Sequence, residues 1–169
     1  MGDNFMGDYE NFVIGEYSGW VNDRDGRMAA ILITDQFSRQ LFRKQPKAFE
    51  TDKLALNLAL KAMSSEDWAN YATFEKFFIL MVLMHQENGK YTRMQITEMM
   101  KLDREYQEKY PEAYNNGTGK ALQMNIKMGQ EHDTTIQRYG RYPYRNEVLG
   151  RKSTLEELNY LNSAKTYGQ

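Results

Sequence analysis

Apolar side chains recur at helical spacing from Arg24 to Leu161, in runs broken by glycine, proline and short polar stretches. Over 24–42, stepping about 100° per residue puts Met28, Ile31, Leu32 and Phe42 on one arc and Ile33, Phe37 and Leu41 on another. A helix apolar on two sides is expected between neighbours, not on a surface. Thr51 is placed as the N-cap of a helix to about Met63, with Asp52 in its first turn. Its ridge is Leu54, Leu58 and Ala62, with Leu56 and Leu60 beside it. Residues 73–85 are the most apolar stretch and predict a central core helix, on whose Phe74, Phe78 and Met81 stripe His85 falls as a core histidine satisfied by a local partner. A helix from about Thr92 to Lys109 turns Ile96, Met99, Leu102 and Tyr106 inward and leaves Lys101 with Glu105, and Arg104 with Glu108, as exposed i, i+4 pairs. Another, over Lys120–Tyr139, buries Leu122, Ile126, Gly129 and Ile136 and carries His132 at the boundary of core and solvent.

The breaks predict the rest. Residues 3–20 hold Gly7, Gly15 and Gly19 and predict a short, partly frayed element with Phe12, Val13 and Tyr17 on one face. Pro46 makes 44–49 a turn, and Ser65 is placed as the cap of a brief turn through Tyr71. Pro111 and the run 115–119 predict the longest loop, where flexibility concentrates. Gly140 is positioned to end its helix with positive φ, and Pro143 forbids continuation. Ser153 with Glu156, or Thr154 with Glu157, offers a capping box for a last helix to about Leu161, packing through Leu155, Leu158 and Leu161. Residues 165–169 are expected to fray.

Composition changes this picture little. A chain of 169 residues suits one all-α domain, an antiparallel helical stack or bundle of about six to eight helices, burying roughly 70% of its unfolded surface. Lys plus Arg 22 against Asp plus Glu 23 gives no global pull toward nucleic acid or an anionic membrane, so any basic site is local. Cysteine is absent, which excludes disulfides, thiolate metal sites and cysteine nucleophiles. No apolar run of about 18 residues is present, and the acidic start resembles no signal or transit peptide. A soluble, intracellular, cytoplasmic protein without membrane insertion is the expectation.

Candidate chemistry gathers in two places. Asp35 and Arg39, spaced i, i+4 within an apolar arc, are expected to pair; they either fix helix register or line a pocket. The run Arg138–Gly150 concentrates Arg141, Arg145 and Asn146 among Tyr139, Tyr142 and Tyr144 behind His132. Arginine forks suit a carboxylate or phosphate, and a boundary histidine titrates near neutrality. The same forks equally tie helix-end carbonyls and buried carboxylates such as Asp35, making the run a lock on the end of the His132 helix. Two histidines on different helices fall short of a metal-ligand set, and neither has a serine at a diagnostic spacing, so no metal, cofactor or nucleophilic catalysis is expected.

The wording of two blocks carries a resemblance. ILITDQFSRQLFRKQPKAFETDKLAL near the front and HDTTIQRYGRYPYRNEVLGRKSTLEELNYL at the back resemble the family catalogued as domain of unknown function 924, from about Gly26 to Leu161. That family is all-helical and similar in architecture to tetratricopeptide-repeat proteins, although no period near 34 residues is visible here. Its Asp-Gln-Phe-x-Arg motif corresponds to Asp35, Gln36, Phe37 and Arg39. Its histidine and Gly-Arg-aromatic-Pro-x-Arg-Asn motif correspond to His132, Gly140, Arg141, Tyr142, Pro143, Arg145 and Asn146, with Gly150 beyond. The family's tryptophan-bearing front helix has only 1–20 in its place, and its Pro-Leu-Glu-His-Ser block reads MVLMHQE, with His85 at the histidine. A helical stack needs its end capped. Either 1–20 does so, or a protein partner or second copy docks at the N-terminal end.

Three functions are open to such a chain. One is a non-catalytic helical scaffold or protein-interaction subunit. A second is a small-anion binding protein or enzyme using Asp35, Gln36, Arg39, His132, Arg141, Arg145 and Asn146. The third, RNA binding through residues 138–151, is disfavoured because one short basic patch on a neutral chain gives only modest affinity.

Overall fold

Asp23 opens the first strongly patterned helix by accepting from Gly26 N at 2.8 Å. The computed structural model describes residues 2–162, with side chains from residue 5 onward. Seven helices lie among these residues: α1 (Gly2–Val13), α2 (24–41), α3 (Asp52–Ser64), α4 (Thr73–Met84), α5 (Gly89–Lys109), α6 (Gly119–Tyr139) and α7 (Leu155–Leu161). No strand occurs among them, and the fold is all-α. The described chain divides into two compact units, 2–58 with 141–162, and 59–140.

In the first unit, α1 is longer than its glycines predict. Tyr9 and Phe12 are buried, and the Tyr9 ring meets Phe42 edge-on at 4.8 Å, so packing outweighs the weak local propensity. Val13, expected on the inner face, is 52% exposed, while Tyr17 stacks on Trp20 at 4.2 Å. α2 follows the expected span but is not uniform. Residues Leu32–Phe37 form a π-type turn, closed by Ser38 N donating to Ile33 O, one residue farther back than in an α-helix. The extra residue rotates everything after it. Phe37 and Leu41 are therefore only half-buried, while Ser38 and Arg39 are buried; at the start of the turn Leu32 is half-buried and Ile33, Thr34 and Asp35 are buried. Polar groups in that row bond locally: the Thr34 carbonyl accepts both the Ser38 hydroxyl at 2.9 Å and the Thr51 hydroxyl at 2.6 Å.

α3 begins where Thr51 and Asp52 predict, yet its inner ridge is Ala55, Leu58, Ala59 and Ala62; Leu54 is exposed. Small residues on this ridge permit close approach of neighbours, which a count of leucines does not reveal. α7 departs further. Its capping box is Thr154 with Glu157, and its buried side chain is Glu157, whereas Leu155 is 75% and Leu158 50% exposed. Here one ion pair sets the orientation of a two-turn helix against its apolar pattern.

In the second unit, Leu80, Met99, Leu102 and Leu122 form the core, packed by Met63, Trp68, Phe77 and Ile126. α5 and α6 run antiparallel, since Thr92 bonds Asp133 at 2.5 Å and Gln95 bonds Asn125 at 2.7 Å. Asn88 caps α5 through Lys90 N, so that helix starts at Gly89, before Thr92. On α4 the buried residues are Ile79, Leu80, Val82, Leu83 and Met84; Phe74 is 44% exposed and His85, at the C-cap, is half-buried, so the Phe74–His85 stripe is not the core stripe. Lys101 pairs with Glu98 at 2.7 Å in place of the expected Glu105. Ser65 makes no cap contact and donates to Ala62 O at 2.8 Å. The expected loop after Pro111 is instead a short helical turn, Pro111–Ala113, followed by a π-type turn, Tyr114–Thr118, with Gly117 at φ 124°. Tyr114 holds it in place, donating to Asp103 at 3.0 Å and accepting from Gln123 at 2.8 Å. Gly140 ends α6 with φ 69°, as its position predicts. Residues 165–169, expected to fray, lie outside the described residues.

Candidate functional site

The π-type turn of α2 delivers Asp35 into the interior of the first unit, with no exposed surface. Gln36 donates to its Oδ2 at 2.6 Å, and Arg39, one turn later, donates to its backbone carbonyl at 3.1 Å and lies 3.3 Å from its Oδ1. The expected i, i+4 pair is thus present. Arg39 Nη2 also reaches Asp52 Oδ1 at 2.9 Å, and Asp52 Oδ2 takes Arg145 Nη1 at 3.5 Å. Asp52, a residue the sequence places only in a first helical turn, bridges the two arginines. Arg145 is further held between rings, its guanidinium carbon 4.6 Å from the Phe49 centroid and 4.8 Å from that of Tyr142. Tyr142 in turn stacks on Tyr144 at 5.3 Å. Two carboxylates and two guanidiniums therefore form one quartet, buried at Asp35, Arg39 and Arg145 and half-buried at Asp52, whose formal charges cancel. Burial opposes the Arg39 charge, but Asp35 and Asp52 together outweigh it and raise its pKa further.

Arg141 has a separate partner. Its Nε and Nη2 donate to Glu157 Oε1 and Oε2 at 2.7 and 2.8 Å, and Nη2 also reaches the Lys152 carbonyl at 3.0 Å. That fork, then burial acting the other way, then the Thr154 amide, hold the Glu157 carboxyl down at about 2. Asn146 donates to Ser153 Oγ at 3.0 Å, tying the turn Pro143–Arg145 to the start of α7.

The structure therefore brings Asp35, Gln36, Arg39 and Arg145 together, adds Asp52, and places Arg141 and Asn146 with Glu157 and Ser153 in the same unit. His132 belongs to the second unit. It is buried, not at a boundary, and its Nδ1 lies 2.8 Å from Met128 O. Beside it Asp133 accepts from Thr92 and from Gln137 and lies 3.6 Å from Arg93 Nη1. Sequence reasoning passed over Asp52 and Glu157 because both occupy the first turns of helices, where acidic residues are ordinary. The one pointer to them in the sequence is that Arg39, Arg141 and Arg145 outnumber Asp35, the acid that lies within the two family motifs. Among the described residues no cluster of three or more histidine, aspartate or glutamate side chains is arranged to hold a metal.

A family model described as a bacterial protein of unknown function (DUF924) matches residues 1–165. The structure is similar to that of a protein of unknown function from Agrobacterium tumefaciens, with TM-score 0.74 and 23% sequence identity, over 96% of this chain and 82% of that one. At that identity the likeness shows the fold. No curated protein matches the sequence. Among the described residues no helix is long and apolar enough to cross a membrane.

Proposed function

The chain belongs to the bacterial family of unknown function DUF924, and from that premise we propose that it is a non-catalytic helical interaction module in which the Asp35–Arg39 and Arg141–Asn146 blocks are structural. One observation carries this reading: each candidate arginine is already met by a carboxylate of its own unit. Arg39 and Arg145 balance Asp35 and Asp52, and Arg141 is forked on Glu157. An incoming phosphate would have to displace carboxylates that are already desolvated, and no net charge remains to draw it in. Tyr142 and Tyr144 are buried against one another, which leaves the half-buried Tyr139 alone of the run's three candidate tyrosines as a stacking platform for RNA.

Association then falls to the outer faces, where Val13 at the end of α1 and Ile14 just after it are 52% and 72% exposed and α7 presents Leu155 and Leu158. The expected result is a thermal midpoint unmoved by millimolar phosphate, together with self-association or a stoichiometric partner lost on Val13→Glu with Ile14→Glu. A phosphate-dependent rise in the midpoint that disappears in Arg145→Met would sink the reading.

A second reading, binding of a small anion, has its own support. Arg39 Nε, Arg145 Nε and Asn146 Oδ1 are buried with no hydrogen-bond partner. A cavity of about 450 Å³ lined by Lys44, Tyr144, Glu147 and Val148 adjoins that turn, and Lys44 holds a left-handed φ of 62°. The phosphate titration separates the two.

A further inference from the structure

The second unit carries a cleft whose lining includes no residue of the arginine blocks. It lies where the last two turns of α5 face the start of α4. On α5, Leu102, Glu105, Tyr106 and Lys109 fall at i, i+3, i+4 and i+7, which is one helical face, and Tyr110 follows at the C-cap. Opposite them Ala69, Ala72 and Thr73 are small, and the space they leave is about 420 Å³, within the range of small-molecule sites. Its floor is apolar: Leu102 and Tyr71 are 5% and 3% exposed. Its walls are aromatic, with Tyr106 and Tyr110 rings 5.1 Å apart at 48°, and Phe74 across from them. Phe74 and Tyr110 remain 44% and 45% exposed, a large apolar area for two rings that no neighbour covers.

The charges at the rim decide what such a cleft would take. Lys76 and Lys109 line it, and among the described residues neither meets a carboxylate. Each ammonium lies over an aromatic face instead, Lys76 at 5.3 Å from Trp68 and Lys109 at 5.2 Å from Tyr110. Glu105 is the one acidic residue of the lining, so the cleft carries an excess positive charge over rings with exposed faces. We propose that this cleft binds a small aromatic carboxylate, its ring against Phe74 and Tyr110 and its carboxylate between the Lys76 and Lys109 ammoniums. A planar ring gains from the aromatic walls at little entropic cost, and a single carboxylate matches the net charge. The site goes beyond the interaction role proposed above and does not depend on it.

The test is titration calorimetry of the whole chain with three probes of one shape: 2-naphthoate, 2-naphthylmethanol and 2-naphthylmethylamine. Naphthoate should bind at one saturable site, with the alcohol weaker by about tenfold and the amine weaker still, and added salt should narrow the gap between acid and alcohol. In Lys76→Met with Lys109→Met, the first half-buried and the second exposed, circular dichroism should match the wild type, and acid and alcohol should bind alike. In Tyr110→Ala all three should weaken. Equal affinities for the three probes in the wild type, or no saturable binding of naphthoate, overturn the proposal, as does unchanged naphthoate affinity in the lysine variant.

Discussion

Glu157 lies 2% exposed at the start of a helix whose Leu155 and Leu158 face outward, and three groups hold it there: the Arg141 Nε and Nη2 and the Thr154 amide. Because the carboxyl titrates near 2 against an ordinary 4.5, its contribution is full above about pH 4.5 and is lost as the pH falls through 2. Glu157→Gln should therefore cost about 2–4 kcal/mol at neutral pH, and the gap to wild type, read by urea melts, should shrink between pH 4.5 and 2. Gly129 makes a different demand. A Cβ there would sit 2.1 Å from Gln95 Oε1 and 3.1 Å from Ile96 Cγ1, and Gln95 is fully buried and tied to Asn125 through its Nε2 at 2.7 Å. Gly129→Ala should lose about 1–3 kcal/mol, and much of that should return when Gln95 is also changed to Ala. A glycine on a core arc is visible in the sequence; the glutamine that requires it is not.

At the scale of elements, spans were more legible than faces. α2, α4, α5 and α6 follow the apolar spacing within a few residues, because periodic burial is written along each segment. What spacing misses is phase. One extra residue in the Leu32–Phe37 turn re-aims the second half of α2, and α7 is oriented by Glu157 in place of its leucines. Local caps make testable contributions here. Thr154→Ala removes the acceptor of the Glu157 amide and should cost about 1 kcal/mol by thermal melt, concentrated as faster hydrogen exchange in 155–161. Gly26 sets how the 3-10 turn Ser18–Asn22 meets α2: a Cβ there would fall 2.3 Å from the Trp20 carbonyl oxygen, and backbone cannot step aside as a side chain can. Gly26→Ala should lower stability by about 1–3 kcal/mol, and an unchanged melting midpoint would contradict that contact.

For the molecule as a whole, the balance of the charged quartet matters more than any of its bonds. Asp52→Asn leaves Arg39 and Arg145 facing Asp35 alone, two buried cations for one anion. The expected cost is about 3–5 kcal/mol, and the variant, unlike the wild type, should be stabilised by millimolar phosphate or sulfate. A wild-type-like anion response would show that Asp52 does not neutralise the pair. The sequence by itself determined the all-α class, most helix spans, the helix stop at Gly140 and the family, because these rest on local spacing and wording that neighbours in the chain supply. It also brought forward Asp35, Gln36, Arg39, Arg141, Arg145 and Asn146. Only the tertiary structure decided their partners: Asp52 lies 93 positions from Arg145, and Glu157 answers Arg141 across a turn. The folded loop after Pro111, the burial of His132 and the outward Leu155 and Leu158 of α7 belong to the same class, since each depends on which surfaces meet, and a pattern read along one segment holds no information about the segment that will cover it.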